Sequence, residues 1–171
     1  GGLNPPMADL FQFREAPEEP LDCLYILHTS GSDPIAKLDF DTKEKRALRT
    51  KIKALAPRGE ECELISGECP LDLAHRVTFV GLGDEKELTH GKFRAALRRV
   101  MHQATKNREY QIGLGVTALV HGLSAAESRL FALREASIAD YTFDLFKSKK
   151  NEFDKIDGLH ILPLAKESEE D

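Results

Sequence analysis

The chain has 171 residues, 41% hydrophobic and 31% charged, enough for one domain that buries about two-thirds of its unfolded surface without disulfides or metals. No apolar run approaches the ~20 residues of a membrane span, and no secretory signal is visible. A net charge of −5 disfavours nonspecific binding to polyanions over the whole surface but allows a local basic patch. Cys23, Cys62 and Cys69 are odd in number and lack C-x-x-C spacing, which reads as buried free thiols in a reducing cytoplasm.

In chain order, the opening GGLNPPM reads as a six-residue expression scar (residues 1–6) before a native start at Met7. Leu10, Phe11 and Phe13 give a short edge strand, and Pro17 and Pro20 with acidic residues make residues 15–20 a connector. Residues 21–28, LDCLYILH, are dense in apolar side chains and bounded by the turn cluster TSGSDP, so they form a strand. Asp41 and Glu44 have capping-box spacing, and Ala47, Leu48, Ile52 and Leu55 mark a helix that Ala56-Pro57-Arg58-Gly59 stops. Lys43, Lys45, Arg46, Arg49, Lys51 and Lys53 cover its other faces. Cys62, Leu64 and Ile65 suggest a short strand, and a Gly67/Pro70 turn leads onward.

Residues 76–104 state a strand, a loop and a helix in succession. Val77, Thr78, Phe79 and Val80 are β-branched or aromatic, and Gly81-Leu82-Gly83 ends the strand where the backbone turns. Phe93, Ala96, Leu97, Val100, Met101 and Ala104 then recur at helical spacing on one face. Residues 111–116, QIGLGV, form a strand whose two glycines point to a close backbone approach or a bulge. Ser124 and Glu127 are a second capping box, opening a long helix whose stripe runs through Ala126, Leu130, Leu133, Ser137, Asp140 and Tyr141. Lys147, Lys149 and Lys150 form a solvated basic segment, residues 159–164 a terminal strand, and residues 166–171 a disordered acidic tail. This order predicts an α/β domain with helices on both faces of a mixed, mostly parallel sheet.

The candidate chemistry is sparse. Gly81 and Gly83, after a strand and before a helix, are placed as glycines of an anion or nucleotide loop would be, but a third glycine is missing and Asp84, Glu85 and Glu87 would repel a phosphate. A structural turn is the favoured reading. The six histidines form neither H-x-x-x-H nor H-E-x-x-H and read as surface or satisfied residues, and no serine lies in G-x-S-x-G. No catalytic or metal-binding residue is assigned. Arg94, Arg98 and Arg99, with Lys106 and Arg108, give the central helix a basic outer face, a candidate polyanion surface without the interleaved aromatics of single-strand readers.

Two stretches resemble the N-terminal domain of the leucyl (cytosol) aminopeptidase family. Residues 76–100, RVTFVGLGDEKELTHGKFRAALRRV, are similar to that family's strand, VGLG turn, E-L-T segment and following helix. Residues 128–152, SRLFALREASIADYTFDLFKSKKNE, are similar to its long helix, with Tyr141, Phe143-Asp144 and the K-S-K-K run closing it. The resemblance implies a macro-like three-layer α/β/α domain over residues 7–165, ahead of a C-terminal catalytic domain that is absent from this sequence. That second domain would hold two divalent metal ions (zinc, manganese or magnesium), hydrolyse N-terminal residues from peptides and assemble as a cytoplasmic homohexamer. Its N-T-D-A-E-G-R motif does not occur here, so no metal ligand or catalytic residue carries over. These residues are thus expected to be a noncatalytic domain serving oligomer assembly or regulation, with weak nucleic-acid binding as a secondary property of relatives. The alternatives are a stand-alone macro-like module binding ADP-ribose or another nucleotide, and a nucleic-acid-binding accessory domain.

Overall fold

The strand at Leu21–His28 (β2) lies in the middle of the molecule, and every residue in it except Asp22 is buried. A continuous apolar run is what a strand covered on both faces requires, because successive side chains alternate between the two faces. The computed structural model describes residues 11–12, 19–146 and 156–166, with side chains for 19–139 and 156–166. Outside the described residues lie the expected scar and Met7 start, Leu10, Phe13, the basic run at Lys147, Lys149 and Lys150, and the tail beyond Lys166.

The other strands are β1 (Phe11–Gln12), β3 (Leu64–Glu68), β4 (Ala74–Gly81), β5 (Gln111–Val116) and β6 (Gly158–Ile161). The helices are α1 (Thr42–Leu55), α2 (His90–Lys106) and α3 (Ala125–Phe146). The sheet order is β1-β6-β5-β2-β4-β3, parallel throughout except for antiparallel β3 at the edge. The expected mixed, mostly parallel sheet is therefore present. Of the two strand pairs without an intervening helix, only β3 and β4 pair with each other; β1 crosses to the far edge and pairs with β6.

Both capping boxes are made. Asp41 accepts the Glu44 amide at 2.7 Å while its own amide donates to the Glu44 carboxylate at 3.0 Å, and Ser124 and Glu127 exchange the same pair of bonds at 3.1 and 2.9 Å. Each satisfies amides that the first helical turn leaves without partners. One apolar cluster joins α2 and α3 to the sheet through Tyr25, Leu27, Phe93, Leu97, Val100 and Leu114. The other joins α1 to the opposite face through Leu24, Ile26, Leu48, Val77 and Phe79. The result is three layers, α/β/α.

The predicted stripe of α2 is correct at every position, with all six residues fully buried. The stripe of α3 is right at Leu133 and Ser137, which are buried, but Ala126 and Leu130 face solvent, and Ser128, Ala132, Ala136 and Ala139 complete the inward face. Small side chains let α3 approach α2 and the sheet closely, and a pattern anchored on leucines misses that. Three further expectations are corrected. Gly67 is inside β3, where a Cβ would meet Leu55 Cδ1 at 3.1 Å, rather than in a turn. Cys62 is exposed, in a turn with φ 71°, while Cys23 and Cys69 are buried. The last strand ends at Ile161, because Pro163 has no amide to extend the ladder; Leu164 makes only an isolated antiparallel bridge to Leu38.

Candidate functional site

In an open α/β sheet a ligand crevice forms outside the carboxyl ends of the strands, where the chain reverses its direction of travel across the sheet. Here β2 leads to β4 on one side, and the chain then crosses back to β5 on the other, so the reversal lies between β2 and β5. The Gly81–Gly83 turn borders this end of the sheet. Its three amides are all committed to carbonyl oxygens: Gly81 to Glu63 at 2.8 Å, Leu82 to His28 at 2.9 Å and Gly83 to Gly59 at 2.8 Å. The Gly83 carbonyl in turn accepts the Ser30 amide at 2.9 Å.

Gly81 is required by close approach, since a Cβ there would lie 1.9 Å from the Glu60 carbonyl oxygen. Gly83 is required by a φ of 82°. An anion cradle needs free, converging amides, and these three stitch segment 59–63 to the ends of β2 and β4 instead. Asp84 spends its carboxylate on the Lys86 amide at 2.9 Å, capping a single 3-10 turn at Glu85–Glu87. The geometry is that of a scaffold turn.

The three arginines of α2 do not act alike. Arg94 donates to Glu135 on α3 at 2.7 Å and stacks over Phe131, so it joins two helices. Arg98 and Arg99 lie further along α2, where with Leu64 of β3, His102, Gln103, Lys106 and Asn107 they line a hollow of about 420 Å³. Gln103 was not singled out from sequence and His102 only as one of six histidines, although their i+4 spacing from Arg99 and Arg98 puts them on the same face.

Beneath this hollow runs a buried polar network. The Tyr25 hydroxyl donates to Glu109 at 2.5 Å, Ser66 and Thr78 hydroxyls share a bond of 2.7 Å, and the Gln103 amide nitrogen reaches Tyr25, Ser66 and Thr78 at 3.3 to 3.5 Å. Burial raises the Glu109 carboxyl above its ordinary range and pushes the Cys23 thiol up to about 12. Sequence reading could not find this network, because Tyr25 and Glu109 are 84 positions apart.

His28, expected at the surface or satisfied, is 2% exposed at the end of β2, and neither ring nitrogen has a partner with hydrogen-bonding geometry. Its ring meets Phe79 edge-on at 6.2 Å, and burial lowers its pKa. His160 is also buried and lowered by burial, with one ring nitrogen 2.8 Å from the Gln111 side-chain oxygen. Among the described residues no three His, Cys, Asp or Glu side chains converge as metal donors. The residues present do not fit the two-metal site that the resemblance implies for a catalytic domain, and no catalytic step through a metal is derived for this chain.

This sheet order, with a covering layer on each face, defines a three-layer α/β/α domain. The profile of the "Cytosol aminopeptidase family, N-terminal domain" matches residues 29–150, well over half of the sequence. The chain belongs to the cytosol aminopeptidase family as its N-terminal domain. Among solved structures it is similar to a tomato leucine aminopeptidase mutant, with TM-score 0.60 and 18% identity over 91% of this chain and 32% of that one. It is also similar to the bottromycin maturation enzyme BotP in complex with Mn, with TM-score 0.53 and 17% identity over 82% of this chain and 26% of that one. Identities this low establish the shared fold. The chain spans about a third of the tomato enzyme's length. Comparison with curated protein sequences gave no match.

Proposed function

We propose that residues 7–165 are a noncatalytic domain preceding a C-terminal metallopeptidase domain in a longer protein, and that they serve that protein's assembly or regulation. The observation that carries this reading is the family match over residues 29–150 in a chain spanning only about a third of its structural relative. In the parent protein the C-terminal domain would hold two divalent metal ions, zinc, manganese or magnesium, and these would supply Lewis-acid chemistry for peptide hydrolysis. The parent would remove N-terminal residues from peptides in the cytoplasm as a homohexamer. Among the described residues no helix is long and apolar enough to cross a membrane.

The chemistry of the domain suits a scaffold. Its turn amides are internally bonded, its buried polar groups are largely paired with one another, and its strongest charges lie on helix surfaces. The test is co-expression of this chain with the separately expressed metallopeptidase domain of its parent protein. Co-elution, with a change in the catalytic partner's oligomeric state, is expected. A catalytic domain that assembles and turns over identically without this chain would overturn the assembly role.

A further inference from the structure

We propose that the hollow between α2 and β3 is a binding site for a compact oligophosphate, taken either as the free anion or as the phosphate tail of a nucleotide. Arg98, His102 and Lys106 stand on successive turns of one helical face, spanning about 12 Å over eight residues. Arg99 and Gln103 form the adjoining row, and Leu64 of β3 closes the opposite side. No carboxylate lines the hollow, and the whole of α2 carries no acidic residue. In a chain of net charge −5 this is a concentrated positive field.

The cations here are uncommitted where their neighbours are not. On the same helix Lys92 pairs with Glu61 and Glu87, and Arg94 pairs with Glu135. Among the described residues Arg98, Arg99 and Lys106 enter no salt bridge, and the buried Nε of Arg99 has no hydrogen-bond partner. The floor is fixed, because the Gln103 amide is held by the Tyr25, Ser66 and Thr78 hydroxyls. A guanidinium fork matches phosphate oxygens in pairs, and a lysine adds a point charge.

The limits of the cationic run select the ligand. Towards the start of α2 it ends at Arg94, which Glu135 and Phe131 occupy. Beyond Asn107 it meets a different hollow of mixed charge, where the carboxylates Asp22 and Glu109 stand among His75, Arg76 and Arg108. A nucleic-acid backbone needs a longer track, and a lone carboxylate would neutralise only one of three permanent cations; an oligophosphate neutralises all three within one hollow. No Phe, Tyr or Trp lines it, so it offers no large ring platform for a base.

The experiment is calorimetric titration of the whole chain, without divalent metal, using sodium tripolyphosphate, ATP and adenosine. Tripolyphosphate is expected to bind at one saturable site, and adenosine not at all. The double variant Arg98→Gln/Arg99→Gln and the single Lys106→Gln should each weaken binding, the double by at least about tenfold. An α1 control, Arg46→Gln/Lys53→Gln, removes two cations lining a second basic surface hollow and should leave binding unchanged. Raising ionic strength from about 0.05 to about 0.5 M should weaken binding, as screening shortens the Debye length. ATP binding as tightly as tripolyphosphate assigns the site to a nucleotide tail, and weaker ATP binding assigns it to the free anion; both support the proposal. No saturable tripolyphosphate binding, ATP binding without tripolyphosphate binding, or equal losses in the α1 control would each overturn it. Unchanged melting temperatures of the variants separate lost binding from lost fold.

Discussion

The Gly81–Gly83 turn is the most exposed point of this account, and Gly81→Ala perturbs it alone. The new Cβ would lie 1.9 Å from the Glu60 carbonyl oxygen and 2.8 Å from the backbone carbons of Glu60 and Gly59. All three contacts are backbone, so no side chain can rotate away, and segment 59–61 must retreat by about 1.5 Å to restore ordinary contact. That retreat strains the Gly83 to Gly59 and Gly81 to Glu63 hydrogen bonds, both 2.8 Å long. Overpacking of this kind costs about 1–3 kcal/mol, and each weakened bond adds about 0.5–1.5 kcal/mol. A loss of about 3–4 kcal/mol is expected, equivalent to a melting temperature lower by roughly 6–16 °C for a chain of this size. Urea unfolding, read by circular dichroism, gives the value. Gly91→Ala is the control: in the first turn of α2 its Cβ would meet only Thr89 Oγ1, at 3.9 Å, so it should stabilise by about 0.5–1 kcal/mol. A Gly81→Ala protein within about 0.5 kcal/mol of the parent would refute the claim that this turn locks segment 59–63 to the sheet.

Tyr25→Phe takes the phenol donor from buried Glu109 and should cost about 1–3 kcal/mol, whereas Glu109→Gln keeps an oxygen acceptor for Tyr25 and should cost less than about 1 kcal/mol in the same unfolding assay. Because burial raises the Glu109 pKa, the folded state holds its proton to higher pH than the unfolded chain, so this group's contribution declines as pH rises above about 4.5; Glu109→Gln should flatten that decline in a pH series of melts. His28 and His160 have lowered pKa values, so the unfolded chain binds their protons first and stability should fall as pH drops below about 6.5. His28→Phe removes a buried titratable ring and should reduce this acid sensitivity, as melts at pH 5 and 7 would show. In the native protein a thiol reagent should label Cys62 alone, with Cys23 and Cys69 becoming reactive only in urea; mass spectrometry of tryptic peptides would reveal early labelling of Cys23, contrary to expectation.

Local order was legible in the sequence, and long-range pairing was not. The α2 stripe and both capping boxes could be read because their partners lie within four residues. The antiparallel placement of β3 followed from a missing helix between two strands. The crossing of β1 to pair with β6 had no such signal, because nothing in Phe11–Gln12 specifies a partner nearly 150 positions away. The α3 face was misread at Ala126 and Leu130 because alanines, which carry little weight in an apolar pattern, form much of its buried side beside Leu133 and Ser137. The glycine turn was read as structural from the acids that follow it, whereas its amides' bonds to carbonyls exist only in three dimensions. The basic face was also half legible. Five cations could be counted on α2 and Arg108, yet only the fold separates Arg94, tied to Glu135, from Arg98 and Arg99 at the hollow.

The central claim is that these residues are the noncatalytic part of an aminopeptidase. Its most direct test is release of p-nitroaniline from leucine p-nitroanilide by the purified chain, after incubation with Zn²⁺, Mn²⁺ or Mg²⁺ in turn, beside the same assay on the chain extended through the metallopeptidase domain. The account predicts no turnover above buffer for the 171-residue chain under any metal and metal-dependent turnover for the extended protein. Metal-dependent hydrolysis by the short chain alone would contradict it.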